Sequence, residues 1–468
     1  MRNNSIEKYV ILFIPWVLAL MFQANPVLSF LIAWAGSFFI FYMTLTGKIQ
    51  QLPTDRPVSE QLMRPIFLVQ IIFAGYTCCT SLFYFLSVLG YQNFHAPSSF
   101  YLPNVSLLDV TAQCQRYYCL GHAAFATGIL MFMKYPIKQK YYYDKEKLPN
   151  LLLLFALISF PLSEIFLRVP GLSQFYTQLN TISFISGTLA LAFAIPLKNA
   201  RNTMICLALF FFNFYQALTS GFKEPIIISV LVLGIFLYPN YKRLVAVIFI
   251  PLLFLLFLLL PTFNSVFRQN AWSGDDTDAD DATQLAIDAT LNSNGSLGNT
   301  NWEFLTVRLS EIDMFTKFVQ STPDNVPYYK TKLLQQSAEA IVPRLIWPSK
   351  PSTEDLIMER VYDAGVVYRG ELVSAKPAFI VDAYLSYGAW GVLMFMFAYG
   401  AIAQLIANKS EELFGGYILG TALIFSGLFQ IFWRGLSFEF IINVVFWSYV
   451  SMLIIFKMLR AKNILNEI

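Results

Sequence analysis

Residues 244–263 read LVAVIFIPLLFLLFLLLPTF, twenty positions without a single charge. A helix needs roughly 20 predominantly apolar residues to cross a bilayer's hydrocarbon core, and in hydrocarbon a helix is the one form that satisfies all its backbone groups within a single segment. The run therefore predicts a transmembrane helix. Eleven further runs share its texture: 9–22, 26–45, 66–89, 117–133, 148–167, 176–197, 203–218, 225–238, 378–407, 413–432 and 438–456. The composition agrees, with 56% hydrophobic and 13% charged residues against about 25% charged in ordinary soluble domains. An ordinary soluble enzyme is excluded. A net charge of +3 is too small to argue for a nucleic-acid partner.

The expected fold is an all-α polytopic membrane protein of about twelve helices, divided as residues 1–263 (about nine helices), a long loop at 264–377, and residues 378–468 (about three helices). Orientation follows from basic residues, which stay on the cytoplasmic side of short connections. Alternate connections collect 18 of the 32 Lys and Arg residues; the opposite short connections hold four and the long loop ten. Both termini are expected in the cytoplasm, the first run as a retained anchor, and the 114-residue loop outside it. The five cysteines form no disulfide framework, and no metal-ligand spacing or nucleotide-binding fingerprint occurs. No cofactor and no metal are expected.

Within the loop, 274–281 (GDDTDADD) and 292–301 read as a solvated linker; the acidic run lacks the glycine and terminal glutamate of an EF-hand. Leu305, Leu309, Ile312, Phe315 and Val319 then recur at helical spacing, and a second amphipathic piece covers 329–341. Such helices lie on the membrane surface or cover the bundle. Ionisable groups at membrane level are candidates for function. Lys223, at the start of the eighth helix, either holds an anion or snorkels; Arg434 is either an anion ligand or half of an ion pair with Glu439; His122 reads as a hydrogen-bonded structural histidine. With Arg268, Arg308 and Arg344, these cations gather on the loop side, where bidentate guanidiniums suit a diphosphate headgroup.

The most distinctive string is PRLIWPSKP at 343–351, followed by DAYLSYGAWG at 382–391. Both resemble segments of bacterial oligosaccharide repeat-unit polymerases, the Wzy-type O-antigen polymerase family. The likeness extends more loosely to the basic residue in TSGFKEP, to Arg308 ahead of Asp313, and to the arginine-glycine of FWRGLSFEF. It implies a metal-independent glycosyltransferase of the GT-C-like membrane class, in the bacterial cytoplasmic membrane. Polyprenyl-diphosphate-linked oligosaccharides would serve as donor and acceptor, the bilayer as surroundings and a chain-length regulator as a candidate partner. The resemblance implies catalytic roles for Arg308, Arg344 and Arg434 on the diphosphate and for Asp382, where the family usually carries glutamate, as base. Glu311 and Glu371 are rival bases, and Lys223, Arg268 and Lys350 stand behind the arginines as substrate contacts. A ligase of the same mechanistic class, a lipid-oligosaccharide flippase or secondary transporter, and a binding subunit are the alternatives.

Overall fold

The computed structural model describes residues 7–169, 172, 175–196, 200–219, 223–271, 278–291, 301–369 and 375–468. The described chain is predominantly helical, its one sheet being a two-residue antiparallel pairing of Tyr141–Tyr142 with Asn466–Glu467. The helices run α1 (Ile14–Met21), α2 (Pro26–Leu45), α3 (Leu68–Val88), α4 (Val105–Phe132), α5 (Leu148–Arg168), α6 (Tyr176–Ala194), α7 (Ala200–Thr219), α8 (Lys223–Leu237) and α9 (Lys242–Ala271). The loop contributes α10 (Ala279–Leu291), α11 (Ile312–Ser321), α12 (Lys332–Ile341) and α13 (Thr353–Asp363). The chain closes with α14 (Phe379–Leu413), α15 (Ile418–Leu428) and α16 (Phe438–Ala461). Each of the twelve apolar runs carries a helix, and α2, α3, α5, α9, α14 and α16 are long and apolar enough to cross a membrane. This is a helical membrane protein.

Local chemistry explains several boundaries. Asn25 accepts a hydrogen bond from Leu28 N at 3.1 Å and Pro26 occupies the first turn, so α2 starts where an orphan donor is capped and proline's fixed φ fits. Asn104 caps α4 with its side chain in the same way, about three turns before the apolar run begins. The linker reading of the acidic loop stops short: Asp280 and Asp281 open α10, where carboxylates complement the helix dipole. Residues 274–277 and 292–300 lie outside the described part.

The centre of the bundle is the crossing of α4 and α14. Gly128 faces the backbone of Phe397 and Ala401, and Gly400 faces the backbone of Phe125 and Ile129, so neither position has room for a β-carbon. Small residues at such a crossing let helix backbones approach closely. Gly128→Val is expected to destabilise the protein by about 1–3 kcal/mol or more through overpacking. Gly75→Ala, at a glycine with open space around it, should change little. Thermal unfolding of both variants in detergent checks this. Nearby, the buried His122 ring shares a 3.1 Å contact with Gln70 Nε2 through its Nε2, while its Nδ1 has no hydrogen-bond partner among the described residues.

Connections meet at the two ends of the bundle. At the basic end Gln50 donates to Met133 O, Lys140 pairs with Glu412, and the Tyr141–Glu467 strands join. Arg64, fully buried there, commits all five N–H donors: two to Asp55, two to Glu411 and one to Gln61, at 2.7–3.0 Å. At the other end the loop helices sit on the bundle through Tyr118 Oη donating to Ser310 O, Tyr384 Oη to Thr322 O, and Tyr329 N to Leu385 O. We refer to this as the loop end.

Candidate functional site

Two polar clusters occupy the loop end. The first is closed. Helix α13, capped by Ser352, turns Ile357, Met358, Arg360 and Val361 inward. Arg360 lays a bidentate fork on Glu439 (2.8 and 2.8 Å) and reaches Asp382 Oδ2 at 3.0 Å. The backbone N–H of Phe438 donates to the same Asp382 oxygen at 2.8 Å. All three side chains are buried, so the guanidinium loses water but faces two carboxylates. Burial works against its charge, and the carboxylates more than offset that, holding the Arg360 proton more tightly than usual.

This cluster corrects the expectation for Asp382. A base must reach an acceptor hydroxyl, and Asp382 is fully buried with Oδ2 doubly engaged, so it acts as a brace instead. It also gives Glu439 a partner, Arg360. Sequence reasoning passed over Arg360, although a signal existed: a lone arginine on the apolar stripe of an amphipathic helix must find buried counter-charges.

The second cluster is open. Residues Phe304–Arg308 form a π-helical turn, the chain breaks at 309–311, and α11 follows. Of the predicted stripe Leu309, Ile312, Phe315 and Val319 are buried and Leu305 is half-buried, and the helix carrying it is interrupted. The interruption is Glu311, whose φ of 55° is left-handed. A non-glycine residue there is strained, and both this and π-turns concentrate at functional positions. The break is held by Tyr76 Oη donating to Arg308 O at 3.1 Å and Tyr118 Oη to Ser310 O at 2.9 Å.

The break turns the Arg308 side chain into solvent while half-buried Arg268, in the last turn of α9, lies close enough for the two positive charges to repel. Asp313, in the first turn of α11, feels Arg308 and Lys317. Burial nevertheless pushes its carboxyl above the ordinary aspartate range, which makes it a better proton acceptor than an exposed aspartate. Arg308 thus lies within electrostatic reach of both the Arg268 guanidinium and the Asp313 carboxyl. The arrangement can hold a dianion and take a proton beside it.

The other predicted residues stand elsewhere. Arg344 is exposed on the turn after α12. Lys350 is buried, its Nζ donating to the carbonyls of Ala340 (2.9 Å) and Val342 (2.8 Å), and burial together with the Arg344 charge holds its ammonium below the usual lysine range. It caps a helix C-terminus rather than meeting substrate, which corrects that expectation. The side chains of Lys223 and Arg434, and the whole of Glu371, lie outside the described residues. Among the described residues no group of His, Cys, Asp and Glu could hold a metal ion.

A family model described as Domain of unknown function (DUF8712) matches residues 14–467. No curated protein and no solved structure matches the chain.

Proposed function

The chain belongs to the DUF8712 family, and we propose that it is a glycosyltransferase that joins polyprenyl-diphosphate-linked oligosaccharides into a surface polysaccharide at the outer face of the bacterial cytoplasmic membrane. The observation carrying this reading is the Arg268–Arg308 pair beside Asp313, at the end of the bundle opposite the basic connections. In it all twelve apolar helices cross the membrane in a GT-C-like arrangement, the basic end faces the cytoplasm, and a lipid-borne substrate reaches the loop end without leaving the leaflet.

In the reaction the bond between the donor's anomeric carbon and its diphosphate oxygen breaks, and a hydroxyl oxygen of the acceptor bonds to that carbon. The hydroxyl proton passes to the Asp313 carboxylate. The lipid diphosphate leaves with the bond's electron pair, and Arg308 and Arg268 meet the charge it gains. Glu311 is the second carboxyl in reach of the acceptor.

The test is transfer by the purified full-length chain in vesicles loaded with lipid-linked repeat units. Long lipid-linked chains are expected. Long glycan moved to another lipid or protein acceptor would favour a ligase, and units that only change leaflet would favour a flippase. A base must be unprotonated, so the rate should fall as pH drops through the raised pKa of Asp313, above the ordinary aspartate value of about 3.9. Asp313→Asn should remove that limb together with most of the activity. An unchanged pH profile in Asp313→Asn would exclude it as the base.

A further inference from the structure

Between α12 and α13 the chain makes a short protruding turn, residues 343–347 (PRLIW), whose chemistry the transfer reaction does not use. The N–H groups of Ile346 and Trp347 both donate to Pro343 O, at 2.9 and 3.0 Å, so the tip is a tight turn bounded by Pro343 and Pro348. Its two aliphatic side chains face outward: Leu345 is 70% and Ile346 74% exposed. Arg344 beside them is exposed too, and Trp347 is half-buried at the base.

Two observations fix what surrounds this tip. Helix α12 packs along the membrane-length helix α16, and Trp447 of α16 donates its indole N–H to Ile341 O at 2.9 Å. The same indole meets the ring of Phe175, 5.0 Å between centroids, and Phe175 directly precedes α6, in the connection that leaves α5. The turn therefore begins level with the connection between α5 and α6 and with a residue well inside the apolar run of α16. The second observation is Lys350. A helix C-terminus in water has its last carbonyls solvated, yet here a buried ammonium satisfies two of them. That device is needed where water is scarce.

We infer that residues 343–347 are an interfacial anchor seated in the phospholipid leaflet at the loop end. Leu345 and Ile346 enter the upper acyl-chain region, and Arg344 extends to a lipid phosphate. Aliphatic side chains flanked by a tryptophan and an arginine match the polarity gradient of that zone. The anchor would hold α12 and α13, and through Arg360 the mouths of α14 and α16, at a fixed height. This inference does not rest on the transfer chemistry.

The experiment places an environment-sensitive fluorophore at Leu345→Cys in the full chain, reconstituted into phosphatidylcholine and phosphatidylglycerol vesicles. The unsubstituted chain, whose cysteines are buried or half-buried, gives the labelling blank, and Asp324→Cys on an exposed turn of the same loop gives the water-facing reference. A lipid spin-labelled near its headgroup should remove about half or more of the emission at 345 and little at 324, as expected of a side chain at the acyl boundary. Iodide should do the reverse. Arg344→Glu should cut the lipid quenching at 345 roughly in half, because the tip then carries a charge that lipid phosphates repel. Iodide quenching at 345 equal to that at 324 would overturn the anchor, and so would protection from both quenchers, which would mean that protein covers the tip. Ile346→Cys repeats the measurement should the first variant fail to fold.

Discussion

Replacing Arg360 with methionine should cost the protein about 3–5 kcal/mol, the range measured when one partner of a buried ion pair is removed. The cost comes from what stays behind. Asp382 and Glu439 sit in the first turns of α14 and α16, both fully buried, and without the guanidinium they become two like charges cut off from water. The Phe438 N–H would still serve one Asp382 oxygen, but among the described residues the ion pairs of both carboxylates are with Arg360 alone. Thermal unfolding in detergent should show a large loss for Arg360→Met. The combination Arg360→Met, Asp382→Asn and Glu439→Gln should recover much of it, since neutral amides leave no buried net charge. If Arg360→Met lost no more than about 1 kcal/mol, the size of a surface ion pair, the triad would be solvated in the membrane and the brace refuted. Asp382→Asn with Arg360 kept should be milder, because Glu439 retains the bidentate fork.

Which parts of this arrangement were legible in sequence follows from the range of the forces involved. The apolar runs are local, so α2, α5 and α6 begin at the residues where their runs begin, and the stripe from Leu309 to Val319 names buried side chains correctly. The break within that stripe was not legible. Glu311 has no intrinsic preference for a left-handed conformation; hydrogen bonds from Tyr76 and Tyr118, more than 190 positions away, hold the turn around it. Asp382 and Lys350 were misread for a related reason. A charge at membrane level needs a partner, and sequence shows the charge before it shows the partner. Asp382 finds Arg360 22 residues away and Lys350 finds two backbone carbonyls, neither of which a motif displays. The cations that stayed candidates, Arg268 and Arg308, are the described ones whose helices bring them together beside carboxyls at the loop end.

Arg308→Ala should lower the transfer rate by about 10²–10³, the effect of removing one preorganised group from a developing oxyanion. The loss should appear in kcat more than in KM. Both phosphates of the donor are already charged in the ground state, but the leaving oxygen gains its charge only as the glycosidic bond breaks, so the contact strengthens on the way to the transition state. Arg308→Lys should recover part of the rate, since it keeps the charge and loses the planar fork. Arg268→Ala should act in the same direction, and the double variant should lose less than the product of the two, because the guanidiniums would share one diphosphate and repel each other when it is absent. Folding should be unaffected. The Arg308 side chain is exposed, and its anchoring contact is its backbone carbonyl on Tyr76, which the substitution leaves in place. Unchanged thermal unfolding together with a fallen kcat therefore separates chemistry from structure. A variant with full activity, or one that only raises KM, would show that Arg308 binds the donor uniformly or not at all, and the leaving-group role would pass to cations outside this cluster.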